Sequence, residues 1–508
     1  MFGHLRRLAT TGAAYTASSI LSKLIAVALL PIYTAYLSPE DYGAAEVMIA
    51  SLVAASIVVR LGIIEAILRF YYLASERPEA VVRTGFASLF WTTSAAALIA
   101  LPFAEPLSEL LLDGRTDAGL MRLTILGLWQ LTLWEYVLTL LRLDERARAY
   151  FTFTIVAVLV TIPITLALVV ATDLGASAIL LGNFGTGVLF LLARMWVERR
   201  RLGLTVDPSL LRRMVRFGLP TMPAELTLYS LSFIDRIIIV RVIGGKEGLA
   251  AAGLYAIAVK FANGMQVLVR GFHLAWPPLA YSITDDDEAR GAYALIVTWF
   301  VAICSFAVVG LWLLAPWLVR FLTDDQYFAA HEAVGPLAAG TALYALYLVL
   351  VVILGRTGRT ELSFPPTVVA VVVNIALNLL LIPEHGIIGA GVALFASYAV
   401  VVLLMHQIVR RLFFVPYEWG RLTVAIGLAA ALIALGELAI PQEGLGGLAA
   451  VLGICAAYPA ALFLTGFLTQ EERVRLRALF ANVRSGGRGD ERLDTFDQAQ
   501  RDSDRGGA

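Results

Sequence analysis

Long apolar segments separated by short polar breaks run along the chain from residue 12 to residue 469. Each segment has about the 20 residues that an α-helix needs to cross a bilayer. The pattern therefore predicts about fourteen membrane-spanning helices joined by short loops. The predicted spans are 12–37, 43–64, 84–104, 118–141, 149–171, 176–197, 214–243, 250–272, 291–318, 333–355, 362–382, 387–409, 421–440 and 445–468.

The composition also indicates a membrane protein. Hydrophobic residues make up 59% of the 508 residues and charged residues 15%, whereas a soluble chain has about 45–50% apolar residues. The first apolar segment is too long for the core of a signal peptide, so we expect it to remain as the first span. The two cysteines, Cys304 and Cys455, both lie inside apolar segments, which argues against a disulfide framework.

The basic residues indicate the orientation in the membrane. If the N-terminus is cytoplasmic, most of the 39 Lys and Arg residues fall on the inner side, as the positive-inside rule requires. An even number of spans then places both termini in the cytoplasm. The residues after 470 are charged and glycine-rich, and we expect them to form a disordered cytoplasmic tail. The basic residues left on the outer side are Arg115, Arg241, Lys246 and Arg320.

An offset of 210 residues relates two parts of the chain. It places Gly43 on Gly253 and Arg60 on Arg270, and both glycines lie at the start of an even-numbered predicted span. The basic linker between the sixth and seventh spans is the natural midpoint of such a repeat. Repeated halves are how many transporters build alternating access.

Six cationic side chains lie within predicted spans, where each costs roughly 2.5–3.5 kcal/mol at a helix centre. A water-filled cavity, an acidic partner or a nearby helix end relieves that cost. Lys23, Arg236 and Lys260 lie deepest, which favours a cavity-facing role. Arg60 and Arg270 lie nearer the cytoplasmic ends and fit either a cavity or the interface. The six residues are Lys23, Arg60, Arg122, Arg236, Lys260 and Arg270.

Four acidic residues are candidates for coupling or charge pairing. Glu65, Glu135 and Glu225 lie within or beside apolar segments, and Asp235 precedes Arg236. A carboxylate there could bind a proton or Na⁺ that drives transport, or could neutralise an embedded cation. The excess of embedded cations favours pairing.

Two asparagines complete the set of candidate site residues. Asn374 and Asn378 are four residues apart and therefore share a helix face. They suit either hydrogen bonds between helices or contact with a sugar hydroxyl. The histidines show no metal-ligand spacing, and we find neither a P-loop nor a nucleophile elbow. We therefore expect no metal, no cofactor, no catalytic residue and no nucleic-acid partner.

Three strings resemble the polysaccharide transporter family, which comprises the oligosaccharide and O-antigen flippases. The first is the span and loop at residues 20–43. The second is residues 253–260 with the preceding Leu219-Pro220 and Asp235-Arg236, and the third is residues 374–391. The resemblance covers roughly residues 10–410 of the chain.

The resemblance implies an all-α integral membrane fold. In the multidrug/oligosaccharidyl-lipid/polysaccharide superfamily, two six-helix lobes face each other as a V. The implied division is an N-lobe at residues 1–198, a C-lobe at 199–413, accessory spans at 414–470 and the tail at 471–508.

The resemblance also implies a substrate, an undecaprenyl-pyrophosphate-linked oligosaccharide moved from the inner to the outer leaflet for surface polysaccharide biosynthesis. The expected location is a bacterial or archaeal cell membrane, with membrane lipids, a polysaccharide polymerase and glycosyltransferases as partners. A cationic lumen would suit the pyrophosphate group. The expected substrate contacts are Lys23, Arg60, Arg236, Lys260, Arg270, Asn374 and Asn378.

Two other functions stay open. An ion-coupled multidrug exporter of the same superfamily would be expected to rely on embedded carboxylates, whereas embedded cations outnumber acids here. A membrane polysaccharide polymerase or glycosyltransferase usually carries its catalytic residues on a substantial outer loop, and the predicted outer loops are short. The sequence therefore favours a flippase over an enzyme.

Overall fold

A computed structural model describes residues 25–73, 77–469 and 472, and those residues form helices with no β-strand. The first half opens with α1, and Ser38 caps the N-terminus of α2 by accepting a hydrogen bond of 3.1 Å from the amide of Asp41. The helices of this half are α1 (Leu30–Tyr36), α2 (Pro39–Arg60), α3 (Ile63–Phe70), α4 (Pro78–Ala100), α5 (Ala104–Leu112), α6 (Ala118–Leu143), α7 (Ala147–Ala171), α8 (Ala176–Leu180) and α9 (Thr186–Glu198), and α10 (Pro208–Gly218) follows in the connection to the second half.

The second half contains the longest helices. Two of its members, α12 and α13, form a single path that bends by 46°. Its helices are α11 (Met222–Ile243), α12 (Gly245–Ala262), α13 (Met265–Ser282), α14 (Asp286–Leu322), α15 (His331–Arg356), α16 (Phe364–Leu412), α17 (Trp419–Ala439) and α18 (Gly444–Leu464).

Ten helices of the described chain are long and apolar enough to cross a membrane, or eleven if the bent pair α12 and α13 is one span. The protein is therefore a multi-pass membrane protein. Half of the predicted first span, residues 12–24, lies outside the described residues, and so does the predicted tail except for Glu472. The predicted seventh span corresponds to α11, which carries Glu225, Asp235, Arg236 and Arg241 and is not among the ten. The number fourteen stays a prediction.

Helix α16 contains a sharp reversal, which explains another part of the difference between the predicted fourteen spans and the ten or eleven described. Gly386 has a φ of 53° and a ψ of −131° in the middle of the 49 residues assigned to this helix. A Cβ atom on Gly389 would lie 2.5 Å from the carbonyl oxygen of Leu381, although eight residues of straight helix extend about 12 Å. The chain therefore turns back at Gly386, and the two arms match the predicted spans 362–382 and 387–409.

The last two helices pack beside the second half of the chain. Helices α17 and α18 contact each other and α14. Arg421 of α17 forms a two-pronged ion pair with Glu472, at 2.9 and 3.0 Å. The indole of Trp299 on α14 donates a hydrogen bond of 3.0 Å to the same carboxylate. These contacts fasten the accessory pair to α14.

Helices α2 and α12 form the most extensive contact between the two halves. A Cβ atom on Gly43 would lie 1.8 Å from the carbonyl oxygen of Leu249, and one on Gly253 would lie 2.2 Å from that of Pro39. The offset of 210 residues converts the first contact into the second. Such reciprocity is what a two-fold relation between two copies of a surface produces, so the sequence repeat is also a repeat in space.

The close approach of these two helices yields a first prediction. Gly43→Ala should lower the free energy of unfolding by about 1–3 kcal/mol, because its methyl group would overlap the backbone of α12. Thermal unfolding of the purified protein in detergent measures the change.

Gly427→Ala is the matched control, because it makes the same substitution within a membrane helix where no atom lies within 4 Å of the added Cβ. Its stability should stay near that of the wild type. Equal stability of the two variants would contradict the packing described for α2 and α12.

Candidate functional site

A cavity of about 390 Å³ lies beside α2 and is bordered mainly by the first half of the chain. Most of its lining is apolar, and its neutral polar groups include Gln130, Thr161 and Asn183. Glu46 and Lys260 are the charged residues in the described lining. The lining residues are Ile25, Ala26, Leu29, Tyr33, Tyr42, Ala45, Glu46, Ile49, Gln130, Trp134, Thr154, Ala157, Val158, Thr161, Ile162, Thr165, Ile179, Asn183, Gly187 and Lys260.

The charged groups at this cavity meet across the two halves of the chain. Nζ of Lys260 on α12 lies 2.5 Å from Oε1 of Glu46 on α2, and it also contacts the hydroxyl of Tyr42. Nε of Arg236 on α11 lies 3.8 Å from Oε2 of the same carboxylate. Two cations therefore share one carboxylate. We refer to Glu46, Arg236 and Lys260 as the central charge cluster.

The guanidinium of Arg236 is also enclosed by aromatic rings. Its central carbon lies 4.9 Å from the ring centre of Phe233 and 6.0 Å from that of Tyr255. The side chain of Arg236 is 4% exposed, whereas that of Lys260 is 24% exposed. Because Lys260 lines the cavity and Arg236 is enclosed, Lys260 is the cation better placed to meet a ligand there.

Asp235 lies next to Arg236 in sequence but joins a different group of side chains. It is completely buried, and its two oxygens accept hydrogen bonds of 2.6 Å from Tyr255 and 2.8 Å from Asn378. Asn374 is also fully buried and lies close to Asp235. Asn378 thus links two helices of the second half. Neither asparagine is in the described lining of the cavity.

A second group of charges, the inner charge cluster, lies at the other end of α2. Nη2 of Arg60 is 2.6 Å from Oε1 of Glu225 on α11, which again joins the two halves. Glu65 and Glu135 are near enough to Glu225 to interact with it electrostatically. Glu135 also pairs with Arg142 at 3.0 Å. All three of these predicted glutamates are therefore near one another, and Glu225 is the one that pairs with Arg60.

The remaining predicted cations have different locations. Arg270 on α13 interacts electrostatically with Tyr344 of α15. Lys23 lies outside the described residues. The sequence predicted a cationic lumen, whereas the charges that the structure describes at the cavity are one cation and one anion with Arg236 behind them.

Glu46 is the main residue that sequence reasoning missed. It lies within the predicted span 43–64, and a carboxylate inside an apolar segment was the available signal. The predicted span begins at Gly43. The helix instead begins at Pro39, which places Glu46 in its second turn. Gln130 and Asn183 gave no comparable signal.

The chemistry that this arrangement supports is ion binding rather than bond making. Two cations beside a cavity can hold an anion through charge-assisted hydrogen bonds, and the hydroxyl and amide groups of the lining can bind neutral polar groups. Among the described residues, no cluster of three or more His, Cys, Asp or Glu side chains could hold a metal ion.

Several solved structures share this fold. The lipid II flippase MurJ in an inward closed conformation is 12% identical, with a TM-score of 0.69 over 90% of this chain and 99% of the flippase. An inward-facing multidrug resistance MATE family transporter of the MOP superfamily is 16% identical, with a TM-score of 0.62 over 77% of this chain and 94% of the transporter. The Vibrio cholerae MATE transporter VcmN in its bent form is 16% identical, with a TM-score of 0.50 over 80% and 97%.

These proteins are named as a flippase and transporters, and this chain shares their fold. The curated proteins include no match to this sequence. The family described as polysaccharide biosynthesis protein matches residues 34–332, more than half of the chain. The chain is therefore a member of the polysaccharide biosynthesis protein family with the fold of the MOP-superfamily transporters.

Proposed function

We propose that this protein flips an anionic lipid-linked oligosaccharide, of the undecaprenyl-pyrophosphate class, from the inner to the outer leaflet by alternating access. The product would feed surface polysaccharide biosynthesis. Family membership supports the polysaccharide pathway, and the shared fold supports a transport mechanism. The location proposed is the cell membrane, with both termini in the cytoplasm and with glycosyltransferases and a polymerase acting before and after the flippase.

The observation that carries this proposal is the position of two deep cations beside the cavity. Lys260 and Arg236 lie within the membrane-embedded part of the protein, where unneeded charges are costly. They outnumber the one carboxylate that they share. A pyrophosphate diester carries two negative charges and fits such a site, while the cavity's hydroxyl and amide groups suit the sugars.

The two halves supply the moving parts that alternating access needs. Residues 1–198 and 199–413 would act as two lobes, residues 414–470 as accessory helices and residues 471–508 as a tail. The reciprocal contact of α2 and α12 would act as the pivot, since it joins equivalent surfaces of the two lobes.

The other predicted residues have supporting roles in this proposal. Lys23 and Arg270 would meet the anionic substrate at other stages of its passage, as would Arg60 once its pair with Glu225 opens. Asp235 and the glutamates of the inner charge cluster, Glu65, Glu135 and Glu225, would pair charges or couple an ion to transport. Asn374 and Asn378 would keep Asp235 in position or contact sugar hydroxyls in another conformation.

A multidrug exporter is the second candidate, and Glu46 is the observation that favours it. A carboxylate in the lining of a membrane cavity can bind a cationic drug. The charge balance argues the other way, because Glu46 is already engaged by Lys260 and lies near Arg236.

Neutralising Lys260 separates these two functions. In proteoliposomes, Lys260→Gln should slow the flipping of a prenyl-pyrophosphate-linked oligosaccharide at least about tenfold, because one lost charge-assisted contact is worth about 1.5–3 kcal/mol. Protection of a fluorescent substrate from external quencher or enzyme measures the rate.

Lys246→Gln on the same helix is the matched control. The side chain of Lys246 is 85% exposed, and the substitution removes a long ion pair with Glu40, at 3.9 Å. It should flip at the wild-type rate. The drug exporter would be supported instead by two results together. The wild type would transport a cationic dye but flip no lipid, and Lys260→Gln would transport the dye as the wild type does.

The membrane potential should drive the reaction if a net anion crosses. An interior-negative potential helps an anion leave the cytoplasm by about 2.3 kcal/mol per charge per 100 mV. In proteoliposomes, a potassium diffusion potential sets the voltage across the membrane. When the side that corresponds to the cytoplasm is negative, the protein should flip the substrate faster, by up to about 50-fold per charge at 100 mV. A rate indifferent to the potential would exclude electrophoretic drive.

A further inference from the structure

The carboxylate of Glu46 occupies the position that an anionic ligand would take. Lys260 approaches one of its oxygens to 2.5 Å and Arg236 the other to 3.8 Å. Among the described lining residues, Glu46 is the single carboxylate. Each carboxylate oxygen of Glu46 thus faces a cation, as the charged non-bridging oxygens of a phosphate would.

Glu46 and its cations belong to opposite halves of the protein, and the repeat does not duplicate them. The offset of 210 residues places Glu46 on Ala256 and Lys260 on Ala50. The surrounding helices follow the two-fold relation, as the contact between Gly43 and Gly253 demonstrates. The ion pair is therefore an asymmetric feature added to a symmetric framework.

The pair also meets a physical requirement of the empty protein. An embedded cation without a counterion is costly in the membrane interior, and removing one partner of a buried pair leaves that cost uncompensated. Glu46 meets the requirement while the cavity holds no substrate. An anionic substrate brings its own charge, so it can replace the carboxylate without leaving Lys260 unpaired.

We propose that Glu46 is an internal counterion that occupies the anion site of Lys260 and Arg236 and that the phosphate of the substrate must displace. The proposal rests on the proposed flippase function and adds a means of regulating the same site. Competition from Glu46 weakens substrate binding and so allows the anion to be released in the outer leaflet. Among the described residues, the other ionisable groups that interact with the cluster include Tyr33, Tyr42, Tyr229 and Tyr255, and the buried Asp235 interacts with Arg236.

Binding of geranylgeranyl pyrophosphate to the purified full-length protein in detergent tests this competition. Glu46→Gln should bind the probe at least about tenfold more tightly than the wild type, since the competing negative charge is lost. The same variant should flip the lipid-linked oligosaccharide several-fold more slowly at saturating substrate, because release is impaired. A general structural defect would weaken binding and transport together.

Glu198→Gln is the matched control. Glu198 is buried and pairs with Arg194 at 2.6 Å, but it lies outside the cavity. Its affinity for the probe should stay within about twofold of the wild type. Should Glu46→Gln fail to fold, Glu46→Asp provides the second variant, because it keeps the charge but shortens the reach to Lys260. It should bind the probe two- to threefold more tightly.

The possible results separate the two proposals. Unchanged or weaker probe binding by Glu46→Gln, with normal flipping by the wild type, would overturn the counterion and leave the flippase standing. Tighter binding by Glu46→Gln, with no flipping by the wild type, would support the counterion and overturn the assigned substrate. Loss of probe binding in Lys260→Gln would confirm that the probe binds at the anion site that Glu46 occupies.

Discussion

The cost of a charge inside a membrane is the constraint on which the centre of this protein depends. Lys260 and Arg236 would each be expensive in hydrocarbon, and both are directed at Glu46. Arg60 meets the same requirement through Glu225. In each case the cation and the acid come from different halves of the chain. The same ion pair therefore neutralises the charges and holds the halves together.

A second constraint brings those charges within reach of each other. Helices α2 and α12 approach so closely that neither Gly43 nor Gly253 has room for a Cβ atom. The approach places Glu46, one turn further along α2, beside Lys260 near the end of α12. Backbone packing between small residues thus permits an ion pair that longer side chains at the crossing would hold apart.

The symmetric framework and the asymmetric charges have different consequences for transport. In the proposed flippase, alternating access would require movement where these two equivalent surfaces meet. An ion pair that joins the halves opposes that movement until a ligand replaces one partner. The central charge cluster would therefore link occupancy of the cavity to movement of the lobes.

Much of the fold could be predicted from the sequence because lipid imposes a simple rule on length and polarity. The spans at α4, α6, α7 and both arms of α16 appear near their predicted residues. The site could be predicted less completely. The depth of Lys260 and Arg236 in apolar segments identified them as candidates, while Glu46, which also lies within a predicted span, was not singled out.

The sequence by itself determined that this chain is a helical membrane protein, which residues are embedded charges, and that two parts of it repeat with an offset of 210. Each of these follows from local composition or from comparison along the chain. Only the tertiary structure decided which charges meet, because Arg60 and Glu225 are 165 residues apart and Lys260 and Glu46 are 214 apart. Pairing at such separations depends on how helices pack, and helix packing is set by shape at the crossing rather than by any periodicity in the sequence.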